Sequence, residues 1–289
     1  MGEETKEKIY SYSRLENYKT CPRSYYKNYI EKNRNEDNIY SFLGSTTHEL
    51  LEELQRDNIT NEEAIDKFEN ALIDADLQGL TWMSDSVRDK YVAAIKHYLV
   101  HYKKIECDEF FIEEYFEIPV GKYKMKGFID LYTITNGEID IYDYKTSSSS
   151  SFTGKDAYKK MRQMILYGIA INHKYPDRKI NTMNFDMLKY YKVPSTRSKL
   201  GYTLKDRSTI DILDFTTDFK PAYISTDFTQ ELVDEVINYV ETTIDERESL
   251  DENNIEDFPR GKNPKKDFFC STLCSFCSDC KNEQKFDTL

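Results

Sequence analysis

The sequence predicts an α/β fold: a central mixed sheet flanked by helices, with a helical region before the sheet and a cysteine-rich clip after it. Three observations carry this reading. Apolar residues in the first third recur at helical spacing, as in Val87, Tyr91, Ile95, Tyr98 and Tyr102. From Phe110 the pattern changes to alternating β-branched and aromatic residues, punctuated by Gly121 and by Asn136-Gly137. Four cysteines then crowd between Cys270 and Cys280.

Taken in order, Ser13-Arg-Leu-Glu16 has the form of a capping box, which starts a helix near Ser13 that carries Tyr18, Cys21, Tyr25 and Tyr26. Thr46-x-x-Glu49 opens a second helix with His48 in its first turn. A third runs from about Asn61 to Leu77, and a long one from about Ser84 to Ile105. Strands follow from Phe110 to Val120, from Tyr123 to Thr135 and from Glu138 to Thr146, and Asn136-Gly137 is a strong two-residue hairpin signal. The serine run Ser147–Ser151 connects to a helix over about Lys155–Asn172. A strand over about Asn181–Val193 and a Lys/Arg/Ser-rich loop lead to the last helix, near Thr229–Arg247, whose Leu232, Val233, Val236, Ile237, Val240 and Ile244 form one stripe. One domain is expected, with a helical part over 1–108, a core over 109–193, a helical and loop part over 194–268, and a cysteine segment over 269–289 that closes onto Cys21.

Composition bounds the function. A hydrophobic content of 39% is that of a globular chain, and no apolar run approaches the roughly 18 to 20 residues of a membrane helix. No membrane partner is expected. The charged start, Met1 to Glu7, lacks the apolar stretch of a signal peptide, so a cytoplasmic, reducing compartment without disulfides is expected. A net charge of -12 argues against a coat protein for nucleic acid. Local basic stretches remain: Lys122, Lys124 and Lys126; Lys159, Lys160 and Arg162; and Lys189 through Arg207, where Tyr190 and Tyr191 are candidates for stacking on bases.

The hairpin carries the chemistry. A two-residue turn at Asn136-Gly137 sets Thr135 opposite Glu138 and therefore Asp130 opposite Asp143. Lys145 joins them on a face that otherwise holds Phe128, Tyr132, Ile134, Ile139 and Ile141. Two carboxylates on an apolar face repel and resist desolvation unless a cation lies between them. A divalent ion, Mg²⁺ or Mn²⁺, is the economical answer, with Lys145 orienting or helping to deprotonate a water, or stabilising charge on the phosphorane. The structural alternative is a buried Asp–Lys salt bridge with the second Asp at a frayed strand end. His97 and His101 stand one helical turn apart, but no Glu follows His97 and no third ligand is evident, so they are set aside as a metal site.

These segments resemble a known family. Gly127-Phe-Ile-Asp130 with Ile141-Tyr-Asp143-Tyr-Lys145-Thr146 looks like the split acid-x-Lys signature of the PD-(D/E)XK nucleases. Ser11-Tyr-Ser-Arg-Leu-Glu16 with Cys21-Pro22-Arg23, the histidine motif Gly44-Ser-Thr-Thr-His48, and Gln163-x-x-x-Tyr167 resemble the RecB-like branch, in the same order. The resemblance implies a restriction-endonuclease-like core and a metal-dependent DNA exonuclease. It implies His48, Asp130, Asp143 and the backbone carbonyl of Tyr144 as metal ligands, Lys145 as the catalytic lysine, and Gln163 and Tyr167 as DNA contacts. It also implies a [4Fe–4S] cluster in which one cysteine before the core joins three after it.

From the residues alone, such dense thiolates in a reducing compartment read as metal ligands, and tetrahedral Zn²⁺ on the four C-terminal cysteines is the alternative. The branch's last ligands run as a pair two residues apart and then one five further on. Cys270-x3-Cys274-x5-Cys280 keeps only the second interval, so the expected set is Cys21, Cys270, Cys274 and Cys280, with Cys277 spare or alternate. Cys107 reads as a structural thiol. The expected substrate is linear or single-stranded DNA in recombination, repair or phage DNA processing. A nuclease that trims spacers beside CRISPR-adaptation proteins and a non-cleaving adaptor within a recombination complex are the competing readings.

Overall fold

A computed structural model describes residues 8–33, 37–147, 152, 157–189, 223–261 and 268–280. Most of the serine run, Tyr190, Tyr191 and the basic stretch up to Arg207 lie outside these residues.

The chain opens with β1 (Ile9–Ser11), a strand the sequence reading missed, followed by α1 (Tyr12–Thr20). Ser11, two residues before the expected start, caps α1: its hydroxyl accepts from the Arg14 N–H at 3.3 Å. The helix stops before Cys21, which is extended with φ -156 and ψ 99, because Pro22 disfavours the helical region for the residue before it. Pro22 then starts α2 (Pro22–Tyr25), which runs into a π-turn over Tyr26–Ile30. The single helix expected to carry Cys21 is thus two, broken at that cysteine.

The second expected start is also corrected. Helix α3 (Ile39–Gln55) begins at an Asn38–Ser41 capping box, which places His48 in mid-helix. Thr46 and Thr47 are interior residues whose hydroxyls donate back to the Phe42 and Leu43 carbonyls, so Thr46 caps nothing. Helix α4 (Asn61–Leu77) matches the expectation at both ends. Helix α5 (Asp85–His101) ends before Ile105, because Tyr102 leaves helical geometry at ψ 134.

The sheet holds β2 (Glu109–Val120), β3 (Tyr123–Thr135), β4 (Glu138–Lys145), β5 (Ile180–Met187) and a short β6 (Tyr223–Thr226) besides β1. β6 falls in a stretch expected to be helix and loop. Strands β2, β3 and β4 form the antiparallel meander, with Thr135 opposite Glu138 as expected. Helix α6 (Ala157–Lys174) connects β4 to its parallel neighbour β5, and β6 lies antiparallel to β5. The sheet is therefore mixed.

One edge of β3 pairs with β2 along nearly its whole length. Its other edge is shared by β1, at Lys124–Lys126, and β4, at Leu131–Thr135. Residues 127–130 lie in the gap between them.

Each face of the sheet buries a core. Under α6 and α7 (Gln230–Glu248) lie Met125, Ile129, Tyr132, Ile134, Ile139, Ile141, Met164, Ile165, Val236 and Val240. On the other face, α3, α4 and α5 pack Leu43, Leu51, Phe68, Ile95 and Leu99 against Leu131, Tyr142 and Tyr144. Phe128, expected on the inner face, is 52% exposed against Tyr115. The side-chain alternation changes phase near Asp130: Met125 and Ile129 enter the same core as Tyr132 and Ile134, which strict alternation would put on opposite faces.

Gly168 lets α6 approach the sheet, since a Cβ there would come within 2.6 Å of the Phe228 ring and 2.9 Å of Met183 Sδ. Gly168→Ala is expected to cost about 1 to 3 kcal/mol by overpacking. Gly44→Ala, whose added carbon meets only Thr146 Oγ1 at 3.5 Å, is expected to hold or raise stability. Denaturant midpoints of the two variants check the contrast.

Candidate active site

The site forms at the gap on the edge of β3. Ladder pairing between β3 and β4 ends at Leu131↔Tyr142, one rung short of the expected Asp130–Asp143 pair. Beyond that rung the Asp130 side chain replaces a backbone acceptor, its Oδ2 taking the Tyr144 N–H at 2.9 Å. His48, from the helical layer on one face, brings Nδ1 within 3.3 Å of the same oxygen. Gln163 and Tyr167 arrive from α6 on the opposite face.

Asp143, Lys145, Gln163 and Tyr167 close a ring. Lys145 Nζ donates to Gln163 Oε1 at 3.1 Å, Gln163 Nε2 donates to the Tyr167 hydroxyl at 2.8 Å, and that hydroxyl donates to Asp143 Oδ1 at 3.4 Å. The ammonium of Lys145 completes it at Asp143 Oδ2. The ring brings Asp143, Lys145, Gln163 and Tyr167 together, and Asp130 stands outside it, tied to β4 by the Tyr144 N–H. Lys145 also lies over the Phe185 ring, which limits its arc.

The two carboxylates are largely shielded from solvent. The Asp143 side chain is 1% exposed and that of Asp130 13%. Burial, and then the Asp143 charge, push the Asp130 carboxyl well above the usual carboxylate range. Burial holds the His48 imidazole below its ordinary value, against the opposing pull of Asp143 and of a hydrogen bond with the Tyr144 backbone. A neutral imidazole and close carboxylates are the donors a hard divalent cation takes, and its charge would reverse the cost at Asp130.

One functional candidate was not anticipated. Glu113, on β2, places a ligand atom together with those of His48 and Asp130, all within 4.8 Å of one another. It lines a cleft of about 380 Å³ with Gly44, Ser45, His48, Glu49 and Glu52. Burial, followed by the Glu113 charge, pushes Glu52 up to about 7.

A larger cavity, about 650 Å³, opens elsewhere, between α1, the start of α6, α7 and Phe269, and holds Lys19, Lys159, Lys160 and Arg162. Part of the expected basic surface is already committed. Arg162 binds Glu235 at 2.6 Å and sits 3.9 Å over Tyr239, and Lys122 binds Asp245; Lys19, outside the expected stretches, binds Glu246. His97 is buried against His101, with ring centroids 4.3 Å apart, and burial followed by the His101 charge lowers it to about 4. The two rings form a tilted contact within one helix, at 33° to each other. Cys107 lies between α5 and β2, its thiol 3.6 Å from the Ile105 carbonyl.

Residues 18–27 meet residues 256–279 from the other end of the sequence. Tyr18, Tyr25, Tyr26 and Phe258 form a small core of their own. Arg23 pairs with Glu256, Lys27 with Asp279, and the Gly261 N–H donates to Cys21 Sγ at 3.3 Å. Burial raises the Cys274 thiol, and the neighbouring Cys21 and Cys280 sulfurs add to the shift. Those three cysteines therefore come from both ends of the sequence into one neighbourhood.

No curated protein matches the chain. A family model described as the PD-(D/E)XK nuclease superfamily matches residues 9–281, a span that takes in the strand gap, the Asp-x-Lys hairpin and the cysteine segment. With that match over nearly the full length, and with the hairpin acids and lysine gathered where two strands share one edge, the chain belongs to the PD-(D/E)XK nuclease superfamily.

Proposed function

We propose that the chain is a Mg²⁺- or Mn²⁺-dependent DNA exonuclease acting on linear or single-stranded ends, with the cation held by His48, Asp130, Asp143 and the Tyr144 carbonyl. The observation that supports it best is the convergence of Asp130, Asp143 and Lys145 at the strand gap, flanked by helices from both faces. The cation, when bound, polarises the phosphodiester and lowers the pKa of a water. Asp130 and Asp143 supply anionic oxygens from adjacent strands, and the Tyr144 N–H fixes the Asp130 carboxylate in place. Lys145 keeps a positive charge beside the scissile phosphate, where negative charge grows in the transition state. Gln163 and Tyr167 orient that ammonium and present α6 to the DNA.

Restriction to ends follows from access. The carboxylates are recessed between two helical layers, and a free strand end enters such a recess more readily than the interior of a closed chain. A single-stranded circle is expected to persist while the same linear strand is degraded in the presence of Mn²⁺. Equal rates on both, followed by gel electrophoresis, would overturn the exonuclease reading.

The cysteines extend this reading to a [4Fe–4S] cluster on Cys21, Cys270, Cys274 and Cys280. The shared neighbourhood of Cys21, Cys274 and Cys280 supports it, as does the backbone N–H directed at Cys21 Sγ. The cluster would supply cross-linking of the two ends, a task for which four thiolates suffice.

A further inference from the structure

We infer that Glu113 is a direct ligand of the divalent cation, delivered from β2 by a left-handed residue built into the strand. The inference rests on the active-site reading above and adds to it a carboxylate from a strand that reading does not use.

Three observations carry it. The β2–β3 ladder runs in constant register from Glu109↔Ile134 to Val120↔Tyr123, but the rung that would join Glu113 to Asp130 is missing. At that rung Glu113 has φ +51, in mid-strand, where no turn or glycine calls for it. Such a backbone is costly for a residue with a side chain and persists only where the surroundings impose it. Its effect is visible on β2: Phe116, Ile118 and Val120 enter one core, and beyond Glu113 it is Phe111 that packs there, so the strand has changed phase.

The second observation is the destination. The ligand atoms of Glu113, His48 and Asp130 lie within 4.8 Å of one another, close enough to share an ion whose oxygen ligands sit roughly 2.0 to 2.6 Å away. The third is the company that Glu113 keeps. Neighbouring Glu114 is neutralised by Lys174, whereas among the described residues no lysine or arginine forms a salt bridge with Glu113. A carboxylate set within 4.8 Å of another, without a lysine or arginine bridge among the described residues, is a place where a divalent cation relieves the repulsion.

The test is calorimetric titration of the full chain with Mn²⁺, in the absence of DNA, on wild type, Glu113→Gln, Glu113→Gly and Asp130→Asn. Wild type is expected to bind, Asp130→Asn to lose binding, and both Glu113 variants to bind about tenfold more weakly or worse. Glu113→Gly should unfold without metal at the same temperature as wild type or higher, because glycine takes positive φ freely, which separates lost ligation from lost folding. Glu113→Gln binding Mn²⁺ like wild type, with Asp130→Asn impaired, would overturn the Glu113 assignment and leave the active-site reading standing. Asp130→Asn binding like wild type, or a wild type that takes up no Mn²⁺, would overturn that reading and this inference with it.

Discussion

Lys145→Ala is expected to slow Mn²⁺-dependent degradation of labelled linear DNA by at least about a hundredfold, the scale on which a preorganised transition-state donor acts. Asp143→Asn is expected to do as much or more, because it removes a carboxylate that serves both as a proposed ligand and as the anchor for Lys145. The two changes have different side effects. Lys145 is 21% exposed at its side chain, so alanine there leaves a hole that water can fill. It strands Asp143, however, whose Oδ2 has no other directed partner among the described residues and whose side chain is 1% exposed. Asp143→Asn keeps the shape and one acceptor for the Tyr167 hydroxyl, and is the cleaner probe. Far-ultraviolet circular dichroism of each variant shows whether the fold survives. Folded variants as active as wild type would sink the assignment.

The residues of that experiment were legible because a short hairpin leaves little freedom. Asn136-Gly137 fixes the register, and register fixes which side chains meet. Helix starts were less legible. Ser13 and Thr46 both have the composition of caps, yet the chain uses Ser11 and Asn38, since a hydroxyl can cap a first turn or bond back to a carbonyl within a helix, and local sequence does not choose. The strands β1 and β6 are three and four residues long and exist only through their partners β3 and β5, so no periodicity could announce them.

Glu113 was within reach. The two-residue turn at Gly121-Lys122 sets Val120 opposite Tyr123, and the same counting that paired Asp130 with Asp143 puts Glu113 opposite Asp130 from the other side. What hid it was the run Glu113-Glu114, which reads as a solvated face. The left-handed backbone that separates their fates is a tertiary effect.

The second large effect is expected at the cysteines. Cys21→Ser and Cys274→Ser should each bleach the visible absorption of anaerobically purified protein and lower its unfolding temperature by about 5 °C or more, since the binding energy of a structural metal is folding energy. The loss should stop short of complete unfolding. The Tyr18–Tyr25–Tyr26–Phe258 core, with Tyr25 and Phe258 rings parallel at 6.4 Å, holds the ends together without any thiolate, as do the Arg23–Glu256 and Lys27–Asp279 pairs. A cluster in that position tightens a junction that already exists, so its removal should loosen the ends while the core of the sheet stays folded. Cys277→Ser is the discriminating control. Burial raises the Cys274 thiol and the Cys21 and Cys280 sulfurs add to the shift, whereas the Cys277 N–H is turned to the Cys274 carbonyl. If Cys277 is spare, its serine variant keeps both colour and stability. A colourless wild type loaded with zinc would remove the iron while leaving the thiolate clip, and bleaching by Cys277→Ser would move the set to the four C-terminal cysteines. Cys21 would then be left as a buried thiol in a junction held by the aromatic core and the Arg23–Glu256 and Lys27–Asp279 pairs.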